Sequence, residues 1–261
     1  MSLSGRTKMN EIDQIKKRFS DLYNRASRDT RYCFTDFLSE ADISVLQDMI
    51  RSGQIDARWV SLSGGFEGAE RQMARFGNED EFGWSEDFPI RILKISPVLE
   101  KFGEELSHRD YLGSLMALNI ERDTIGDIRI AGTHAWVCVV ERLAPMIMQE
   151  LDEVRHTHVV VEETDHLPEE ACVRFQEIQL IVASPRADAV IARLTGSARS
   201  KITELFREQR VFINGRLVTD GSTRISAGDS MSIRGWGRVL CDEEAGQTRK
   251  GHIVLHMKKF I

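Results

Sequence analysis

Between Arg186 and Arg238 the chain sets guanidinium and ammonium groups at spacings that could grip phosphate. Arg199 and Arg210 are eleven residues apart, three helical turns, so they are expected to share an orientation. Arg199, Ser200 and Lys201 open a stretch of helical periodicity, where free backbone N–H groups would join the side chains in holding an anion. Guanidinium forks meet phosphate oxygens in pairs, which fixes geometry as well as charge. Residues 182–261 hold 14 Lys+Arg against 8 Asp+Glu, net +6, whereas the preceding residues are net −12. Cations gathered on one small module are the electrostatic footprint of phosphate binding, although a solvated basic surface would have the same composition.

Two helices and a hairpin must position these groups. Ala187, Val190, Ile191 and Leu194 fall at i, i+3, i+4 and i+7 behind Pro185, one apolar helix face. After the Thr195-Gly196 break, a second helix is predicted from Arg199 to Gln209, burying Ile202, Leu205 and Phe206. Asn214-Gly215 between Val211-Phe212-Ile213 and Arg216-Leu217-Val218 is a strong hairpin signal. Gly228-Asp229 marks a turn before a strand from Ser230 to Arg234.

Arg186-x-Asp188, Ala198-Arg199-Ser200-Lys201, Leu205, Val211-x-Ile213-Asn214-Gly215, Val218, Gly228-Asp229 and Ile233-Arg234-Gly235 resemble, in order and spacing, the RNA-binding domain named after ribosomal protein S4. Two departures touch the second helix. Ala198 stands where that domain usually has Ser, and Gln209 where a helix-ending Gly is common. The resemblance implies RNA contacts at Arg186, Arg199, Ser200, Lys201, Arg210, Asn214 and Arg216. For Asn214 and Gly215, turn formation is the competing role.

Length and composition set the frame. The 261 residues are 41% hydrophobic and 29% charged, which fits an ordinary globular protein of two or three domains. No run approaches 18 apolar residues and no leader precedes a cleavage site, so a cytoplasmic protein with no membrane partner is expected. Met1 to Lys8, ahead of Met9, has the look of an expression scar and is set aside. Cys33, Cys138, Cys172 and Cys241 show no CxxC spacing, and the close pairs His156/His158 and His252/His256 fall on strand-like segments. Neither a metal site nor a cofactor is expected.

An N-terminal α/β domain is predicted over 1–81, a ferredoxin-like (RRM-like) α-β plait over 82–174, and the S4-like helix-helix-hairpin module over 175–261, an α+β chain overall. In the first part, Glu11 to Arg25 reads as a helix, and Ser39 with Asp42 as a capping start for Ile43, Leu46, Met49 and Ile50. Arg58 to Leu62 reads as a strand, Gly68 to Phe76 as a helix, and Asn78-Glu79-Asp80-Glu81 as a solvated loop. Ser63-Gly64-Gly65-Phe66 is a plain turn or, less simply, a phosphate cradle. The plait pattern is strand 89–95, helix 107–118 with Leu112, Leu115, Met116 and Leu118 inward, hairpin strands 126–130 and 135–140, helix 144–154 and strand 158–161. Trp136 is either core or a stacking platform. A strand is read over Phe175 to Ser184, a hinge around Leu167 to Cys172, and a last strand over Gly251 to Phe260.

His108-Arg109-Asp110-Tyr111-Leu112-Gly113-Ser114-Leu115, then Ile120-Glu121-Arg122-x3-Gly126-Asp127-Ile128, with Gly64-Gly65-x4-Glu70-Arg71 upstream, is similar to the YlmH family of bacterial proteins. Membership implies RNA partners (rRNA, tRNA), the large ribosomal subunit, handling of stalled translation, and a link to cell division. His108, Arg109 and Arg122 form a second candidate surface, against the simpler reading that Ser107 caps a helix and Asp110 favours its dipole. The expectation is a non-enzymatic RNA-binding protein; the alternative is a protein-interaction factor linked to cell division. An RNA-modifying enzyme would need a catalytic aspartate in a recognisable motif, which the sequence does not offer.

Overall fold

The computed structural model describes the backbone of residues 3–261 and the side chains of 11–101 and 103–261. The segment set aside, Met1 to Lys8, lies outside the described side chains. The chain forms two compact units, Met1–Cys172 and Val173–Ile261.

The first unit runs α1 (Leu3–Asp29), β1 (Cys33–Phe34), α2 (Glu40–Arg51), β2 (Val60–Ser63), β3 (Met73–Phe76), α3 (Glu79–Phe82), β4 (Ile90–Pro97), α4 (His108–Ala117), β5 (Ile125–Ala131), β6 (His134–Val140), α5 (Ala144–Glu150), β7 (Glu153–Val154) and β8 (Thr157–Thr164). Its first sheet has the order β1-β3-β2, and α1 and α2 close over it around Phe19, Leu46, Met49 and Phe76. Ser39 starts α2 through the capping box read from the sequence: its hydroxyl accepts from the Asp42 N–H, and the Asp42 carboxylate accepts from the Ser39 N–H.

The second sheet, ordered β5-β6-β4-β8-β7 with antiparallel neighbours, has the strand order of a ferredoxin-like plait, extended by β7. On one face α4 and α5 bury Tyr111, Leu115 and Ile147 against Leu93, Ile95 and Val137. The other face is not open either. Ile92, Trp136, Cys138 and Val140 pack there with Phe37 and Met73 from the first sheet's segment and with Ala171. Trp136, 5% exposed, is core and has no platform to offer.

Several expectations need correction. Gly68 to Phe76 is not a helix: turns lead into β3, whose Met73 to Phe76 pair with β2. The run Asn78 to Glu81 is not a loop but the start of α3, capped by the Asn78 side chain and stopped by Gly83 at φ +75. α5 stops at Glu150 rather than Val154, because Glu153 and Val154 turn through Arg155, φ +57, to pair with β8. Met116 faces solvent, and Tyr111 takes the inward place beside Leu115. The segment read as a hinge is docked: Ala171 is buried and its carbonyl accepts from the Arg129 guanidinium, so the division between units falls after it.

The second unit comprises β9 (Phe175–Val182), α6 (Ala187–Thr195), α7 (Arg199–Arg207), β10 (Val211–Ile213), β11 (Arg216–Leu217), β12 (Ser230–Ile233), β13 (Gly237–Gln247) and β14 (Ile253–Phe260). They make one sheet ordered β11-β10-β12-β13-β14-β9. α6 and α7 lay Val190, Ile191, Ile202 and Phe206 on a core with Val211, Met231, Val239 and Leu255. β13 was not anticipated.

Candidate nucleic-acid interface

α7 presents the cationic groups. Ile202 and Phe206 turn inward, so Arg199, Ser200, Lys201 and Arg207 stand exposed. Arg199, Thr203 and Arg207 follow one another at four-residue steps, one stripe along the helix. The N-cap is Ala198, which makes no side-chain hydrogen bond, so the first-turn N–H groups of Arg199 to Lys201 keep their capacity for an anion. Among the described residues neither Arg199 nor Lys201 forms a salt bridge, although the Arg199 charge acts on the nearby Asp188 carboxyl; Arg207 bonds Glu204 at 3.0 Å, an exposed i,i+3 pair worth little in water. Arg207 was missed in the sequence. Its spacing from Arg199 is the signal that could have found it.

Beside the stripe lies a recess of 420 Å³ walled by Arg186, Arg199 and Arg207 together with Asp188, Asp220 and Phe206. The loop after β11 forms its rim, held because the Ala187 and Asp188 N–H groups donate to the Thr223 and Gly221 carbonyls. A second recess of 460 Å³, lined by Ser200, Lys201, Thr203, Glu204 and Arg207, lies on the other side of the stripe.

The remaining sequence-derived positions are not all equivalent. Arg186 forks onto Asp188 at 2.8 and 3.1 Å, and this bond holds the Asp188 carboxyl below the usual carboxylate range. Arg210 is not on α7 and does not share the orientation of Arg199. The helix ends at Arg207, Gln209 takes the left-handed position at φ +56, and the Arg210 guanidinium turns to the Arg234 carbonyl at 2.6 Å and to Glu208 at 3.3 Å. Asn214 and Gly215 have φ of +50 and +69, the geometry of a tight two-residue hairpin turn. The Asn214 amide donates to Asp229 and accepts from the Ser230 N–H, so its polar atoms serve the turn. Arg216 is exposed on β11.

In the first unit the structure joins stretches far apart in sequence. The Asp127 carboxylate accepts from the Glu70 and Arg71 N–H groups at 2.7 and 3.0 Å. The Arg71 guanidinium donates to the Ile125 and Phe37 carbonyls at 3.0 and 2.9 Å, and Arg122 also donates to the Ile125 carbonyl. Two glycines permit the approach: a Cβ on Gly126 would lie 2.7 Å from the Phe37 ring, and one on Gly64 would lie 2.3 Å from the Ala69 Cβ. Gly64-Gly65 is therefore a packing turn. Burial lowers the Arg71 and Arg122 pKa values; burial and then the Arg122 charge lower that of His108. Ser107 and Asp110 form the capping pair at the start of α4, and Arg109 is exposed beside it. The arrangement fastens the first sheet's segment to the plait, with His108 and Arg122 at its edge.

Among the described residues no three His, Cys, Asp or Glu side chains gather as a metal site, and no helix is long and apolar enough to cross a membrane.

A family model described as "Putative RNA-binding domain in YlmH" matches residues 84–167, and the S4 domain model matches residues 185–230. Ribosome-associated protein quality control protein P2 of Bacillus subtilis (strain 168) is 30% identical over 224 residues, covering 84% of each chain. Cell division protein ylmH from Streptococcus pneumoniae, a solved structure, aligns at 20% identity with a TM-score of 0.44, over 63% of this chain and 93% of that one. The chain belongs to the YlmH family and carries an S4 domain in its second unit.

Proposed function

We propose that this is a non-enzymatic cytoplasmic protein that binds ribosomal RNA or tRNA on the large ribosomal subunit, in the quality control of stalled translation. The observation that carries the reading is the set of exposed groups Arg199, Ser200, Lys201 and Arg207 on α7, with no salt bridge at Arg199 or Lys201 among the described residues, inside the segment matched by the S4 model. The ribosome-associated quality-control name of the Bacillus subtilis relative supports the setting. RNA phosphates lie along α7 and into the recess beside Arg186, with Arg216 as a flanking contact. The working pieces are 1–81, 82–174 and 175–261, the last docking first because its charge attracts the polyanion while the net −12 of the rest opposes non-specific approach.

The test is a salt titration of binding to large ribosomal subunits by the full chain and by Arg199→Ala/Lys201→Ala. Two lost phosphate contacts should make the log–log slope shallower by roughly 1.4–1.8 and weaken binding at low salt. An unchanged affinity and slope would remove α7 as the interface.

A further inference from the structure

The β13–β14 hairpin ends in a pair of cations outside the segment matched by the S4 model. β13 keeps β12 as a neighbour only as far as Leu240, opposite Ser230, yet it runs on to Gln247 with β14 as its partner. From Asp242 to Gln247 its side chains are exposed, so apolar burial gives no reason for the extension. Register shifts after Cys241 and after Glu244 bulge this outer length and tighten its twist.

The turn at the end is held without help from the cations. The Thr248 N–H donates to the His252 carbonyl at 2.7 Å, the His252 N–H donates to the Thr248 hydroxyl at 3.1 Å, and Gly251 takes φ +77. Arg249 and Lys250 stand exposed between them. Among the described residues neither side chain makes an ion pair or a hydrogen bond. The surrounding chain cannot neutralise them either: no Asp or Glu occurs from Ala245 to Ile261, nor from Ile178 to Ala187 on the β9 side. The carboxylates farther down β13 are taken, Glu244 by Arg224 at 3.2 Å, Glu243 by His256 at 2.9 Å and Asp242 by Lys258 at 3.0 Å. Two uncompensated positive charges therefore sit side by side at the tip of an arm.

The Arg224 pair also sets where the arm starts. Arg224 bridges to Arg186, whose side chain walls the recess beside α7, so the tie to Glu244 puts the arm's base at the rim of that recess. The end of β13 at Gln247 lies three residues, roughly 10 Å, farther out. We propose that Arg249 and Lys250 are a second phosphate grip, through which the arm holds the RNA backbone flanking the part held by α7. This deepens the reading of α7 and rests on it for the nature of the polyanion. A membrane surface is the poorer fit, because no large apolar side chain lies between Gln247 and His252 to enter lipid.

The test is binding of the full chain to large ribosomal subunits across salt concentrations, with a hydroxyl-radical footprint of the subunit RNA. Arg249→Ala/Lys250→Ala should make the log–log slope shallower by roughly 1.4–1.8 and weaken binding at about 50 mM salt at least roughly tenfold. One cluster of protected riboses should disappear while the rest of the footprint stays. Arg199→Ala/Lys201→Ala should remove a different cluster, so the two grips are read independently. If that variant changes nothing while the arm variant has its effect, the α7 reading fails and the arm stands. An arm variant that keeps the slope within about 0.3 of the parent and leaves the footprint whole would overturn the proposal. So would a loss of binding confined to anionic phospholipid vesicles.

Discussion

Removing the Asp127 carboxylate should loosen the first unit without touching any exposed cation. It accepts two backbone N–H bonds, at 2.7 and 3.0 Å, from residues 57 and 56 positions earlier in the chain. Hydrogen bonds to a charged acceptor contribute about 1.5–3 kcal/mol each, and the partial exposure of Glu70 argues for the lower half, so Asp127→Ala should lose about 3–4.5 kcal/mol. The change also takes away the carboxylate that balances Arg71 and Arg122, both partly desolvated. For a unit of this size each kcal/mol moves the midpoint by roughly 2–4 °C, which puts the expected fall in Tm near 10 °C. Asp127→Asn keeps one acceptor oxygen and should fall between the variant and the parent. Thermal and urea unfolding followed by tryptophan fluorescence reads the effect, since Trp59, Trp84 and Trp136 lie in this unit and Trp236 alone in the other. An Asp127→Ala protein within about 0.5 kcal/mol of the parent would refute the reasoning.

Gln209 sits at φ +56 where glycine carries no steric cost, so Gln209→Gly should stabilise the second unit by about 1 kcal/mol, a rise of roughly 4–8 °C in the transition reported by Trp236. Burial pushes the Cys138 thiol up to about 12 and the Cys241 thiol up to about 11, and Cys33 is buried, so at about pH 8 iodoacetamide should alkylate Cys172 first, as read by mass spectrometry; all four should react once the chain is denatured. His108 has a folded pKa below its ordinary value of 6.5, so the fold favours the neutral ring. That contribution is complete above the unfolded pKa and is lost as pH falls below it. His108→Gln should therefore show a smaller loss of stability than the parent between about pH 7 and pH 5.

What the sequence disclosed was what local geometry dictates. Asn214-Gly215 had to be a turn because both residues must reach positive φ, and the α6 stripe of Val190 and Ile191 had one amphipathic solution. Errors came where the deciding partner is remote. Ala69, Met73 and Phe76 fall at i, i+4 and i+7 and mimic a helix, but Asp127 takes the Glu70 and Arg71 N–H groups and β2 claims the rest. α7 was drawn too long because its stop is a left-handed glutamine rather than glycine, which also mislaid Arg210. β13 escaped because only Val239 and Cys241 alternate before an exposed acidic stretch. Of the site, the type and order of the cations were readable; which are already committed to Asp188, Glu208 or the Arg234 carbonyl was not, since those bonds depend on loop paths.

The plait's second face has a consequence for how the chain can be divided. Ile92, Trp136, Cys138 and Val140 meet Phe37 and Met73 rather than water. Cutting the chain ahead of β4 would strip that cover and leave a broad greasy plate, each large side chain costing about 1.5–3 kcal/mol in hydration. The segment from α1 to β3 is thus an internal lid on the plait, and a fragment made without it should clump before it can be assayed for anything.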